Sequence, residues 1–121
     1  MTIPLLICDD SNMARKQVAR SLPSEWKVDI TFAANGVEGL DAIRAGKGEI
    51  VFLDLTMPEM DGYDMLDAIR TEGLKCMIIV ISADIQPEAR ERVIGAGALE
   101  FIRKPINGEK LSAVLQEYGL V

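Results

Sequence analysis

A doubly wound α/β fold, a five-stranded parallel sheet with five helices, is predicted for this chain by three observations. Short apolar runs recur at about residues 3–8, 28–33, 49–54, 76–82 and 99–102. Segments with helical spacing lie between them, so strand and helix alternate along the chain. The central runs, such as Met77-Ile78-Ile79-Val80-Ile81, are apolar at every position rather than at every second one. Strands of that kind are buried on both faces, which requires helices on each side of a parallel sheet.

Each helix carries its own signals. After the first strand, Asp10-Ser11-Asn12 offers capping side chains for a helix over about 12–22, with Ala14, Val18 and Leu22 on one face and Pro23 as its stop. The second enters at Asn35-Gly36, turns Val37, Leu40 and Ile43 inward, and ends at Gly46 or Gly48. The third runs from about Tyr63 to Glu72, with Met65, Leu66 and Ile69 apolar and Gly73 as C-cap. Pro87 suits the first turn of the fourth, which ends near Gly95-Ala96-Gly97. The fifth, about 107–118, has the clearest periodicity, with Leu111, Val114, Leu115 and Tyr118 at i, i+3, i+4 and i+7.

Bulk properties narrow the class. The 121 residues make a single domain, 1–121, with 49% hydrophobic and 26% charged residues, as in ordinary globular proteins. A net charge of -6 disfavours nucleic acid and anionic lipid as partners. No apolar stretch approaches a membrane span and Met1-Thr2-Ile3-Pro4 lacks the form of a signal peptide, so the cytoplasm is the expected compartment. Cys8 and Cys76 both read as small buried hydrophobes without a disulfide. The sequence has no histidine, which removes Ser/His and Cys/His nucleophilic pairs and leaves chemistry to carboxylates, hydroxyls and lysine.

Those residues stand where such a fold places ligands, beyond the carboxyl ends of the strands. Asp9 and Asp10 end the first run, Asp54 the third and Ser82 the fourth, while Lys104 follows the last. Carboxylates gathered in one crevice repel one another unless a cation neutralises them. Hard oxygen donors without histidine or thiolate favour magnesium, and a metal-and-lysine site of this kind would let Asp54 attack phosphorus. Taken singly, each residue has a plainer reading: Asp10 as a helix cap, Ser82 as a cap or turn residue, Lys104 as a solvated cation, Phe101 as core. Their joint placement at successive strand ends favours the phosphoryl-transfer reading.

At these residues the chain resembles the receiver domains of two-component response regulators, from Ile3 to about Tyr118. The acidic pair is Asp9-Asp10, the phosphoacceptor segment Asp54-Leu55-Thr56-Met57-Pro58-Glu59-Met60-Asp61-Gly62, the hydroxyl residue Ser82 followed by Ala83, and the Lys-Pro pair Lys104-Pro105. The resemblance implies a flavodoxin-like, CheY-like strand order 2-1-3-4-5. It also implies that Asp54 takes a phosphoryl group from the phosphohistidine of a sensor histidine kinase. Asp10, Asp54 and the Thr56 backbone carbonyl would hold Mg²⁺, Asp9 acting on it through water. Lys104 would pair with the phosphate, its bond to Pro105 being cis.

In the switch that the likeness implies, Ser82 is drawn toward the phosphoryl group and Phe101 turns inward, altering the face made by the fourth helix, last strand and fifth helix. Phe101 stands where many members carry Tyr, and Ser82 where Thr is commoner. Thr56 and Asp84 are expected to tune hydrolysis. The chain stops soon after Tyr118, so an output domain is not expected and signalling is expected to proceed by binding. The preferred role is a stand-alone chemotaxis protein docking on a flagellar motor switch; the alternative is a carrier in a phosphorelay with a phosphotransfer protein, and a dedicated phosphatase is possible in either. Two rivals are a pseudo-receiver that only binds partners and a phosphatase with Asp54 as nucleophile. The second is disfavoured because Thr56 occupies the place of the leaving-group acid.

Overall fold

The computed structural model describes residues 2–83 and 86–121. Its elements run β1 (Ile3–Cys8), α1 (Asn12–Ser21), β2 (Val28–Ala33), α2 (Gly36–Arg44), β3 (Ile50–Leu53), α3 (Gly62–Glu72), β4 (Met77–Ser82), α4 (Pro87–Gly95), β5 (Glu100–Arg103) and α5 (Gly108–Glu117). The sheet has the order β2-β1-β3-β4-β5 with every neighbouring pair parallel. This is the doubly wound arrangement that the strand patterns predict, in the flavodoxin-like order that the resemblance implies. Strand order reverses at β1, between β2 on one side and β3 on the other, which opens a crevice beyond the strand ends.

Alternate residues of the strands feed two separate core layers. Leu6, Cys8, Val51, Leu53, Ile78 and Val80 pack under α2, α3 and α4 with Leu40, Ile43, Met65, Leu66, Ile69 and Val93. On the other face Leu5, Ile7, Ile50, Phe52, Ile79, Ile81 and Ile102 pack under α1 and α5 with Val18, Leu111 and Leu115. The division of helices between the faces follows from right-handed crossovers on a sheet whose winding direction reverses once. Each fully buried large side chain contributes roughly 1.5–3 kcal/mol, so this double core is the main favourable term in folding.

Helix ends match the side chains at hand. Ser11 Oγ accepts the Ala14 N–H, and Asn35, Asp61 and Asn107 accept from Glu38, Asp64 and Lys110 in the same way. Ser11, rather than Asp10, is therefore the cap of α1. Gly73 closes α3 in the left-handed region at φ 67°.

The inward face of α2 differs from expectation. Val37 is exposed, and the buried positions are Gly36, Gly39, Leu40 and Ile43. Two glycines form half of that stripe because the neighbouring segments approach too closely for a side chain: a Cβ on Gly39 would lie 2.8 Å from Cys8 Sγ. Cys76 is half-buried where full burial was expected, whereas Cys8 is buried.

The segment after β3 is pinned at both ends. Gly36 N–H donates to the Met60 carbonyl at 2.9 Å, and Gly62 N–H to the Leu55 carbonyl at 3.0 Å. Between them Glu59 takes φ 67°, an uncommon conformation for a residue with a side chain. A Cβ on Gly62 would stand 2.5 Å from the Asp54 carbonyl oxygen and 2.8 Å from Leu55 Cα, both backbone atoms that cannot swing aside. Gly62→Ala is expected to cost about 1–3 kcal/mol of stability in urea unfolding. An unchanged midpoint would mean that the segment shifts freely.

Candidate functional site

Three strand ends deliver the charged groups. Asp9 follows β1 and is 4% exposed, Asp10 beside it is exposed, and Asp54 follows β3 at 7% exposed. Register makes them neighbours, since Cys8 and Leu53 are paired and the Asp54 N–H donates to the Cys8 carbonyl at 2.9 Å. One carboxylate oxygen from each of Asp9, Asp10 and Asp54 lies within 4.8 Å of the others. The expected acidic cluster is thus formed.

Lys104 reaches the cluster from the end of β5. Its Nζ donates to Asp9 Oδ2 at 2.9 Å and stands 3.7 Å from Asp54 Oδ2. The Lys104–Pro105 bond is cis. Lys104 N–H donates to the Ser82 carbonyl at 2.9 Å, which ties the lysine loop to the end of β4. Ser82 is buried and Thr56 exposed, while Phe101 is half-buried against the layer formed by α2, α3 and α4. Asp84 lies outside the described residues.

Backbone donors and a second cation also serve the site. Leu55 N–H donates to Asp54 Oδ1 and Ser11 N–H to Asp9 Oδ1, both at 2.9 Å. Arg15, which sequence reasoning missed, donates from Nη1 to the Asp9 carbonyl at 2.6 Å. Its position one turn into α1 was the available signal, because that turn rises directly from the acidic pair.

The electrostatics follow from burial and crowding. Burial, then the Asp9 charge, pushes the Asp54 carboxyl up to about 6, with Lys104 and the Leu55 N–H opposing and Asp10 adding to the rise. Burial disfavours the charge on Lys104, yet the hydrogen bond to Asp9 and the charges of Asp54, Asp9 and Asp10 outweigh it, so its pKa is raised. Burial, then the charges of Asp9, Asp54 and Glu38, push the Cys8 thiol up to about 12 against the opposing Arg15, which leaves no thiolate at the site. The donor set is therefore hard oxygen beside one ammonium group. Carboxylates this close suit a hard divalent cation of the magnesium type, for which Asp9, Asp10 and Asp54 would be the ligands or their immediate neighbours.

Fold and site together define a class, a doubly wound domain with an acidic, lysine-bearing crevice of the kind that handles phosphoryl groups. Comparison with known proteins gives the family. The sequence pattern described as "Response regulator receiver domain" matches residues 5–116, and the chain belongs to that family. It is 35% identical over 113 residues to protein-glutamate methylesterase/protein-glutamine glutaminase 2 of Koribacter versatilis (strain Ellin345), covering 91% of this chain and 31% of that protein. Response regulator MprA of Mycobacterium bovis is 33% identical over 115 residues, covering 93% of this chain and 49% of that protein. The chain thus spans about a third to a half of these two relatives.

Among solved structures, the REC domain of AraT, a response regulator from Geobacillus stearothermophilus, superposes with TM-score 0.84 at 27% identity, covering 97% of this chain and 92% of that one. Chemotaxis protein CheY4 of Vibrio cholerae gives TM-score 0.84 at 25% identity, covering 97% and 98%. Receiver domains of this family are phosphorylated by histidine kinases, bind downstream partners and generally bind Mg²⁺ at the acidic pocket.

Two outcomes follow from the crowded carboxylates. The Asp54 pKa is raised in the folded chain, so the fold binds its proton more tightly than the unfolded chain does, and stability falls as pH rises from about 4 through about 6. Asp54→Asn should then stabilise the metal-free fold by about 1–2 kcal/mol at pH 7, with the gain vanishing toward pH 4 in denaturant unfolding. Magnesium affinity, followed by calorimetry, should weaken as pH drops below about 6, because protonation of Asp54 removes a donor. Asp10→Ala should weaken it at every pH; unchanged affinity would remove Asp10 from the metal site.

Proposed function

We propose that Asp54 is the phosphoacceptor of a response regulator and that phosphorylation there controls binding of a downstream protein. The observation that carries this reading is the approach of Lys104 Nζ to both Asp9 and Asp54 beside three clustered carboxylates. An oxygen of Asp54 attacks the phosphorus of a phosphohistidine on a sensor kinase; the P–N bond breaks, the imidazole nitrogen leaves with the electron pair, and an aspartyl phosphate forms. Asp54 is ionised at neutral pH, as a nucleophile must be. Lys104 pairs with the phosphoryl oxygens, and Asp10, Asp54 and the Thr56 carbonyl would hold Mg²⁺, with Asp9 acting on it through water. The bound cation supplies charge neutralisation at the phosphoryl group.

Ser82 and Phe101 are the switch residues in this proposal. Ser82 moves toward the phosphoryl oxygens and Phe101 turns inward, so the surface of α4, β5 and α5 changes and a partner reads it. The chain acts as a single receiver domain and catalyses only its own phosphoryl transfer and dephosphorylation. Coverage of nearly the whole Vibrio cholerae chemotaxis protein supports a role in chemotaxis, with a flagellar motor switch component as partner. Net charge supports a protein partner over nucleic acid, and among the described residues no helix is long and apolar enough to cross a membrane.

Incubation with acetyl phosphate and Mg²⁺ should add one phosphoryl mass, and Asp54→Ala should abolish it. Retained labelling in that variant would refute the assignment of Asp54, and no labelling of the native chain would favour a binding module. Lys104→Ala should keep measurable phosphorylation yet lose most of the phosphorylation-dependent gain in partner binding. Full coupling in that variant would remove Lys104 from the signal path.

A further inference from the structure

Glu100 is a buried carboxylate that the phosphoryl site does not use. Among the described residues the buried polar or charged side chains are Asp9, Asp54, Ser82 and Glu100, and only the last stands away from the crevice, at the start of β5. Its Oε1 accepts the N–H of Phe101 at 2.9 Å and pairs with Arg90 Nη1 of α4. Its Oε2 accepts the hydroxyl of Tyr118, the C-cap of α5, at 3.1 Å; that hydroxyl is shared with the Leu99 carbonyl at 3.2 Å.

These contacts gather three elements on one anion. Since β5 is an edge strand, its outer N–H groups lack a strand partner, and the carboxylate takes up the one belonging to Phe101. Helices α4 and α5 pack on opposite faces of the sheet, so Arg90 and Tyr118 approach the same carboxylate from the two sides of that edge. A shift of either helix against β5 has to break or stretch one of the three contacts.

We propose that Glu100 is a conformational latch, holding α4 and the end of α5 against the backbone of Phe101 in the resting arrangement. The inference rests on the reading of Asp54 as phosphoacceptor and of the α4–β5–α5 surface as its output. A contact made in the resting arrangement and lost in the activated one opposes phosphorylation by its own strength, because coupling between the two sites is reciprocal. Arg90 is more than half exposed, which moderates the strength of its ion pair. Release of the latch is thereby within reach of a local electrostatic change at Asp54.

The test is a titration of the whole chain with beryllofluoride and Mg²⁺, comparing the native protein with Glu100→Gln and Tyr118→Phe. Both variants should bind beryllofluoride about three- to tenfold more tightly, with unchanged Mg²⁺ affinity and, before any phosphate analogue is added, faster amide exchange in α4 for Glu100→Gln and at the end of α5 for Tyr118→Phe. A merely structural staple would lower the melting temperature and leave beryllofluoride affinity where it was, and that result overturns the latch. Should Glu100→Gln fail to fold, Tyr118→Phe, which removes one hydroxyl, decides the matter alone. A native chain that binds no beryllofluoride overturns the Asp54 reading, and the latch falls with it.

Discussion

Three carboxylates held in one crevice against their mutual repulsion are the constraint around which this protein is arranged. Asp9, Asp10 and Asp54 would separate if their backbones were free, and burial together with the neighbouring Asp9 charge raises the pKa of Asp54. They stay together because each is the first residue or two beyond a strand whose side chains are sealed in the core. β1 and β3 are paired over four residues, so the spacing of Asp9 and Asp54 is set by backbone hydrogen bonds rather than by the acids themselves. One ammonium group and several N–H donors offset part of the repulsion, and a divalent cation is suited to offset more.

The same architecture links the crevice to a distant edge. Lys104 is bonded through its backbone to Ser82, and it directly follows β5, whose first residues are Glu100 and Phe101. A change of charge at Asp54 therefore acts on a lysine joined to the proposed latch by one short strand. Packed cores move between discrete arrangements rather than deforming smoothly, which suits a switch that must be either at rest or engaged. Close approach at Gly36 and Gly62 keeps the segment after Asp54 in one place.

Much of this was legible before any coordinates. Fully apolar runs marked β1, β3 and β4, and Asn35 and Gly73 marked their helix ends, because these signals depend on local backbone geometry alone. Asp9, Asp10, Asp54 and Lys104 stood out as polar groups at the ends of such runs. The difference at α2 has an equally local cause: an inward stripe containing Gly36 and Gly39 carries no apolar signal, so the sequence pattern assigns exposed Val37 to it. Cys76, just before β4, lies near the sheet's far rim and keeps partial exposure there.

The amino-acid order by itself determined the alternation of strands and helices and the chemical types available at the strand ends, since period and capping are properties of contiguous residues. Which groups meet was decided only by tertiary structure. Asp9 and Lys104 are 95 positions apart and become partners through the sheet order. Glu100 is buried because an edge strand lets its carboxylate curl around to the Phe101 backbone N–H, where one helix from each face supplies a donor. Local patterns contain no information about such meetings, which depend on distances fixed by the packing of the whole chain.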